Sequence, residues 1–270
     1  MHPIQTDISD SALITAIRAN LCEFYRHVSR SLHEQQFEND RFTRWQAPIA
    51  HPWFNGVLSS QPSSPRDRAF VEECIEYFRA KQIVTFTWWM EPHLARSDWE
   101  PLLSPYGFGF SDDTPGMAAD LEALNESAQT VDRLEVRVVA DDVSLRAWAH
   151  IFTLGYGLPS DWEHSVYKLA VELGLGFPIR NYLGYWDGEP VATCCHFFGA
   201  GVAGIYSVST LPAARGKGIG TAMTLQAFRK ARELGYRIGV LQSSEMGYNI
   251  YKKLGLRHLC QIEYFYCALQ

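Results

Sequence analysis

The sequence predicts an α/β (α+β) fold in which a mixed, mostly antiparallel sheet is flanked by helices. From residue 134 onward, hydrophobic periodicity and turn residues indicate the order βααβββαβαβ. A shorter order of strand, helix, strand, short helix and strand precedes it at residues 54–121. At 270 residues and 47% apolar composition, the chain is long enough to form two such halves.

The elements of the carboxyl half follow from local signals. Asp141 and Asp142 supply the acidic start of a helix, and Gly235 supplies a helix end. Asp187-Gly188 and Gly199-Ala200-Gly201 are tight turns between three strands, which predicts an antiparallel meander. The predicted strands are 134–140, 181–186, 191–198, 202–210, 237–242 and 257–269, and the predicted helices are one from 143, one after 159, 219–234 and 246–254.

The amino half shows the same alternation with less regular spacing. The predicted strands are 54–59, 83–90 and one ending near 121, and the predicted helices are 66–81 and 97–105. The segment 125–132 is polar and lacks a periodic apolar face, so we place a domain boundary there. The expected domains are 1–128 and 129–270.

The composition disfavours several classes of partner and site. The formal net charge is -6, so a positive field that would attract nucleic acid or an anionic membrane is not expected. Six cysteines without Cys-x-x-Cys spacing predict reduced thiols and no metal site. The amino terminus has no basic start followed by an apolar stretch, which predicts a cytoplasmic protein without a signal peptide.

Charge is divided unequally along the chain. Residues 1–130 hold 10 Lys and Arg against 18 Asp and Glu, whereas residues 131–270 hold 14 against 12. An anionic ligand is therefore expected in the second half. As a hypothesis, the acidic first half suggests that a second ligand, the acceptor, carries positive charge.

The segment 207–224, SVSTLPAARGKGIGTAMT, contains the most informative motif. A strand leads through Pro212 into a glycine-rich turn that opens a helix, so backbone amides can converge on an anion beside the positive end of the helix dipole. Arg215 and Lys217 add cationic donors. This arrangement suits a pyrophosphate, and its spacing matches neither a P-loop nor the dinucleotide-binding fingerprint.

The pattern Arg-x-x-Gly-x-Gly, formed by Arg215, Gly218 and Gly220, resembles the acetyl-CoA loop of the GNAT superfamily of N-acetyltransferases. A second matching segment is SSEMGYNIYKKLGL at 243–256, in which Tyr251 takes the position of the family's Tyr. The resemblance implies a GNAT fold and covers residues 131–270. The amino half is similar to a second, degenerate GNAT unit of a tandem protein.

The resemblance also assigns site residues. Tyr251 is the implied general acid that protonates the departing thiolate. Ser244 stands where the family often has an Asn that contacts pantetheine. The backbone groups expected to bind the pantetheine arm and the acyl carbonyl belong to Val208, Ser209 and Thr210. The amides expected to hold the pyrophosphate are those of Gly216, Lys217, Gly218, Ile219, Gly220 and Thr221.

The expected function is therefore transfer of an acetyl group from acetyl-CoA directly to an amine of a small molecule or peptide. Glu163 and His196 are candidate bases for the amine. Two alternatives stay open: a non-catalytic acyl-CoA-binding regulatory module, and an acyltransferase that uses a longer acyl chain or an oxygen acceptor. Pro62 and Pro65 replace the glycines at the equivalent turn of the amino half, so no CoA is expected there.

Overall fold

A computed structural model describes residues 3–32, 36–127 and 131–269 of the chain. Its contacts divide the chain into two compact units. Unit 1 consists of Met1–Leu21 and Pro115–Cys260, and unit 2 consists of Cys22–Thr114 and Gln261–Gln270. Each unit is therefore assembled from two separate stretches of sequence.

Helices and strands alternate through most of the described chain. The α-helices are α1 (Asp10–Ser31), α2 (Arg68–Ala80), α3 (Glu100–Leu103), α4 (Asp142–Gly155), α5 (Glu163–Leu173), α6 (Ile219–Glu233) and α7 (Glu245–Lys253). The strands are β1 (Gln36–Glu38), β2 (Phe42–Gln46), β3 (Asn55–Ser59), β4 (Thr85–Met90), β5 (Gly109–Asp120), β6 (Leu134–Val138), β7 (Ile179–Trp186), β8 (Glu189–Gly199), β9 (Val202–Thr210), β10 (Ile238–Gln242) and β11 (Arg257–Ala268).

The sheet of unit 1 has the strand order β5-β10-β9-β8-β7-β6. Strands β6 to β9 form an antiparallel series, in which the two predicted turns join β7 to β8 and β8 to β9. Strands β9 and β10 are parallel, and α6 connects them. This confirms the predicted mixed, mostly antiparallel sheet and the order βααβββαβαβ.

The core that supports the carboxyl end of β9 lies between α6, α7 and the sheet. Met223 and Phe228 of α6 are fully buried, and Ile205 of β9 and Leu241 of β10 pack in the same cluster. Gly239 allows β10 to approach α6, because a Cβ there would lie 2.4 Å from the Phe228 ring. The packing therefore fixes α6 directly over the strand pair that it connects.

Unit 2 repeats part of this arrangement. Its sheet order is β1-β2-β3-β4-β11-β5, and β3 and β4 are parallel. Its core is largely aromatic and includes Phe78, Phe86, Trp88, Trp99 and Phe265. The connection between β3 and β4 contains α2, just as α6 connects β9 and β10.

The last strand of each predicted half pairs with a strand of the other predicted half. The end of β5, from Gly116 to Asp120, pairs antiparallel with β10, and the end of β11, from Tyr264 to Ala268, pairs antiparallel with β4. The compact units therefore do not coincide with 1–128 and 129–270. Residues 128–130, where the boundary was predicted, lie outside the described residues, and the division into two GNAT-like halves stays a prediction.

None of the helices within the described ranges combines the length and apolar character needed to cross a bilayer. The longest of them, α1, has 22 residues and carries charged and polar side chains along its length.

Candidate active site

Strands β9 and β10 separate at their carboxyl ends. Within residues 131–269, their parallel pairing covers only Ala203 to Ile205, whereas β9 continues to Thr210. On its other edge β9 stays paired with β8, through Ser209 opposite Thr193 and Thr210 opposite Ala192. Residues 207–210 therefore present one backbone edge to the space that β10 leaves, where an extended ligand with amide groups can pair.

A β-bulge lies in the same segment. The register between β8 and β9 shifts between Thr193 and Cys195, and Ser207 has a φ of 55°. A positive φ is uncommon for a residue other than glycine, Asn or Asp, and here it reorients the two peptide planes that flank Ser207 relative to each other. The bulge thus interrupts the regular pairing where the resemblance expects the acyl group.

The glycine loop has the conformation that its sequence requires. After a short 3-10 turn at Pro212–Ala214, Gly216 and Gly218 have φ values of 76° and 80°. Gly218 is the N-cap of α6 in a left-handed conformation, which residues with a Cβ rarely adopt. These two glycines are therefore required by the backbone path itself.

The first turn of α6 offers free amide donors to an anion. The first N–H with a helical acceptor at this end is that of Ala222, which bonds to the carbonyl of Gly218 at 3.0 Å. The preceding amides of residues 219–221 are not used by the helix. Among the residues that the structure describes, a Cβ at Gly220 would meet only Thr210 Oγ1, at 3.9 Å, so the space beside these amides is open. A phosphate can approach the backbone closely there.

The two cations of the loop have defined partners. Arg215 donates from Nε to the carbonyl of Thr210 at 3.1 Å and from Nη2 to the carbonyl of Gly155 at 2.7 Å. Lys217 places Nζ 3.7 Å from the centroid of the Trp186 ring, a cation–π contact. Arg215 therefore joins the loop to the ends of β9 and α4.

Tyr251 is buried in α7, at 9% exposure. Burial raises the pKa of its phenol well above the ordinary value, the nearby Cys194 thiol raises it further, and a hydrogen bond with Thr224 opposes the shift. The phenol is protonated at neutral pH, which is the form that a general acid needs. Its role as an acid stays a prediction.

Gln242 and Ser244 lie just beyond the point where β10 separates from β9. Ser244 is the N-cap of α7, and its Oγ accepts a hydrogen bond from the amide of Gly247 at 3.2 Å. Gln242 ends β10, and its Nε2 is buried without a hydrogen-bond partner in the described chain. An unsatisfied buried amide costs free energy unless something accepts its hydrogen bond. A carbonyl of a bound ligand is a suitable acceptor, and Gln242 was not predicted from the sequence.

The candidate bases lie in different environments. Glu163 begins α5, and its carboxylate is 2.8 Å from Nδ1 of His150 in a half-exposed pair. His196 is fully buried in β8, with Nδ1 3.1 Å from the Tyr182 hydroxyl. Burial lowers the pKa of His196 to about 3, and the charge of Arg180 contributes. His196 is therefore a neutral histidine of the packed core, and Glu163 is the accessible candidate.

Three further residues at this site were missed by the sequence analysis. A Cβ at Gly155 would lie 2.5 Å from Oγ of Ser209, so this glycine lets the end of α4 contact β9 closely. Tyr156 donates from its hydroxyl to the carbonyl of Val208 at 3.2 Å. Thr193 donates to the carbonyl of Ser207 at 2.7 Å. None of the three was singled out by a motif in the sequence.

In unit 2, the turn between β3 and α2 corresponds to the glycine loop between β9 and α6, and side chains of unit 2 fill it. Asp67 is buried there, and its Oδ2 accepts hydrogen bonds from the backbone N–H of Ser64 at 2.7 Å and from Nη2 of Arg41 at 2.6 Å. Arg41 also donates to the carbonyl of Pro62. A carboxylate of the chain thus uses the donors that an external anion would need.

Known proteins show the same fold. The acetyltransferase (GNAT) family matches residues 145–256. A solved GCN5-related N-acetyltransferase from Kribbella flavida is 20% identical, with a TM-score of 0.64 over 94% of this chain and 95% of that one. One from Sphaerobacter thermophilus is 16% identical, with a TM-score of 0.59 over 98% and 93%. A tandem GNAT protein from the clavulanic acid biosynthesis pathway is 13% identical, with a TM-score of 0.56 over 98% and 97%.

No curated protein sequence matches the chain. At the identities of the solved structures the similarity concerns the fold, and the chain has the fold of tandem GNAT proteins. The segment that matches the acetyltransferase (GNAT) family, residues 145–256, includes the bulged strand, the glycine loop and Tyr251.

Proposed function

We propose that this protein is an N-acetyltransferase that transfers the acetyl group of acetyl-CoA directly to an amine of a small molecule or peptide. The observation that carries the proposal is the combination, at one end of β9, of a free backbone edge and a glycine loop with open amides. The edge suits the two amides of the pantetheine arm, and the loop suits the pyrophosphate. The orphaned amide of Gln242 lies at the adjacent strand end.

Acetyl-CoA would supply an activated thioester. The backbone of residues 208–210 would hold the acyl end, and Tyr251 would donate its phenolic proton to the sulfur as the C–S bond breaks and the C–N bond forms. The amine must lose a proton, because an amine with a pKa of about 10.4 is mostly charged at neutral pH. Glu163 is the accessible candidate to accept that proton, directly or through water.

The first experiment is a calorimetric titration with acetyl-CoA of the unchanged protein and of Gly220→Glu. The new carboxylate would enter the open space above the amides and repel the pyrophosphate, which we expect to weaken binding about 100-fold. The matched control is Gln226→Glu, which adds the same charge on an exposed position of the same helix. Its affinity should stay within about threefold of the unchanged protein.

An unchanged protein that fails to bind acetyl-CoA would overturn the proposal. Binding that Gly220→Glu leaves intact would place the ligand elsewhere. Once binding is established, release of CoA in the presence of candidate amines tests the transfer. Turnover only with longer acyl chains or with hydroxyl acceptors would favour the alternative acyltransferase, and binding without turnover would favour a regulatory module.

A further inference from the structure

We propose that Thr193 is a positioning residue for the acyl group, because its hydroxyl aims the backbone N–H of Val208 at the acyl carbonyl. The inference rests on the proposed function and adds a residue of β8, outside both the glycine loop and α7. It is carried by hydrogen bonds around the bulge in β9.

The hydroxyl of Thr193 has one geometry available to it. The side chain is fully buried, and its Oγ1 lies 2.7 Å from the carbonyl oxygen of Ser207 and 2.8 Å from Oγ of Ser209. A hydroxyl has a single hydrogen, and only the carbonyl must receive one. Thr193 therefore donates to Ser207, and Ser209 donates to Thr193. The two hydroxyls form a chain that ends on the backbone of the bulge.

Holding the Ser207 carbonyl also directs the next amide. In a trans peptide the C=O of Ser207 and the N–H of Val208 point in opposite directions. Leu211 donates from its backbone to Val191 at 2.9 Å, so the alternation of the ladder directs Ser209 toward β8 and Val208 toward the opposite edge. That edge faces the space that β10 leaves. The N–H of Val208 is thus available to a ligand carbonyl.

The hydroxyl of Thr193 is needed because the bulge is costly. Ser207 has a φ of 55°, a left-handed conformation in which the Cβ crowds the following carbonyl oxygen. The bond from Thr193 offsets part of this cost. The next peptide plane is held by the hydroxyl of Tyr156, which donates to the Val208 carbonyl. Without Thr193 the plane between Ser207 and Val208 is free to rotate toward the ordinary strand geometry.

The test uses the carbonyl stretch of bound acetyl-CoA carrying carbon-13 at the acyl carbonyl, measured by infrared difference spectroscopy. A hydrogen bond to the carbonyl oxygen lowers the frequency of this band and narrows it. The measurement needs only bound acetyl-CoA, so no acceptor amine is added. Thr193→Val has nearly the same shape and lacks the hydroxyl. We expect its band to move to higher frequency and broaden, and Thr193→Ser to restore the unchanged protein's band. Affinity for 3′,5′-ADP should stay within about twofold in both variants.

A control separates positioning from general packing. Phe197→Leu removes buried contacts of β8 opposite Gly204, outside the hydrogen bonds of the bulge, and should lower the melting temperature without moving the band. A Thr193→Val band that coincides with that of the unchanged protein would overturn the inference while leaving the proposed function intact. A band shift as large in Phe197→Leu would overturn it too. An unchanged protein that binds no acetyl-CoA would overturn the proposed function and this inference together.

Discussion

Burial sets the protonation states of the side chains around the bulge. The pKa values of the Tyr156 and Tyr251 phenols are both raised, chiefly by burial, and the two groups lie close enough for Tyr251 to influence Tyr156. Burial likewise raises the pKa of Cys194 to about 12. The site therefore holds protonated phenols and a neutral thiol at physiological pH, which suits proton donation and argues against a cysteine nucleophile.

Tyr251→Phe tests the proton donor directly. Loss of the phenolic O–H should lower kcat about 100-fold, within the range for one general acid, while KM for acetyl-CoA changes less than about twofold. The measurement is CoA release under saturating amine. Tyr248→Phe is the control on the same helix, since its hydroxyl contacts His258 at 3.3 Å, and it should keep full activity. Equal kcat values in the two variants would remove Tyr251 from the mechanism.

His196 makes the folded protein sensitive to acid. Its pKa is lowered to about 3 by burial, whereas an unfolded chain binds the proton near the ordinary value of 6.5. Between these values only the unfolded state is protonated, so the free energy of unfolding falls as the pH falls. The stability that depends on a neutral His196 is fully present above pH 6.5 and is lost progressively as the pH falls toward 3.

We expect His196→Asn to reduce the acid sensitivity of the fold. Each pH unit in this window corresponds to about 1.4 kcal/mol, so the histidine accounts for about 2 kcal/mol between pH 6.5 and pH 5. Urea unfolding at several pH values measures the slope. The exposed His164→Gln variant should keep the slope of the unchanged protein. A His196→Asn slope that equals it would contradict this account.

At the scale of elements, the first part of helix α1, up to Leu21, belongs to unit 1 and is bonded to its sheet through a buried asparagine. Asn20 donates from Nδ2 to the carbonyl of Gly199 at 3.0 Å, and its Oδ1 accepts from the Tyr206 hydroxyl at 2.8 Å. Gly204 leaves the room for it, because a Cβ there would lie 2.1 Å from Oδ1. The sequence analysis did not predict this helix, and the paired glycine and asparagine are far apart in sequence.

Asn20→Ala should destabilise the protein by about 3 kcal/mol, because it removes the hydrogen bonds of a fully buried amide side chain. Urea unfolding measures the change. Thr15→Ala, at an exposed position of α1, should cost less than about 0.5 kcal/mol. If the two variants lost equal stability, the contacts of Asn20 would not hold the helix.

The elements of the site differ in how far the sequence predicts them. The loop could be predicted because Gly216 and Gly218 satisfy a local requirement for positive φ. The bulge could not, because Ser207 is not a glycine and its conformation depends on Thr193 from another strand. The separation of β9 from β10 depends on which strand pairs with which, and local periodicity carries no such information.

At the scale of the molecule, the last strand of each predicted half packs in the core of the compact unit that holds most of the other half. Phe265 of β11 is buried in the core of unit 2, and Met117 of β5 is buried in the core of unit 1. Phe265→Ala should cost about 3 to 5 kcal/mol and increase amide hydrogen exchange in α2 and β4. Met117→Ala should instead increase exchange in β9 and β10. The reverse pattern would show consecutive, unexchanged domains.

Local chemistry in the sequence determined the element order, the glycine loop and the position of Tyr251, because turns, helix ends and periodic apolar faces depend on near neighbours. Only the tertiary structure decided the partners of β5 and β11. Tyr106-Gly107-Phe108 and Leu254-Gly255-Leu256 lead into these strands in the same way, so either strand meets the local requirements of either sheet. The choice depends on packing in the two cores, where contacts between residues distant in sequence decide the free energy.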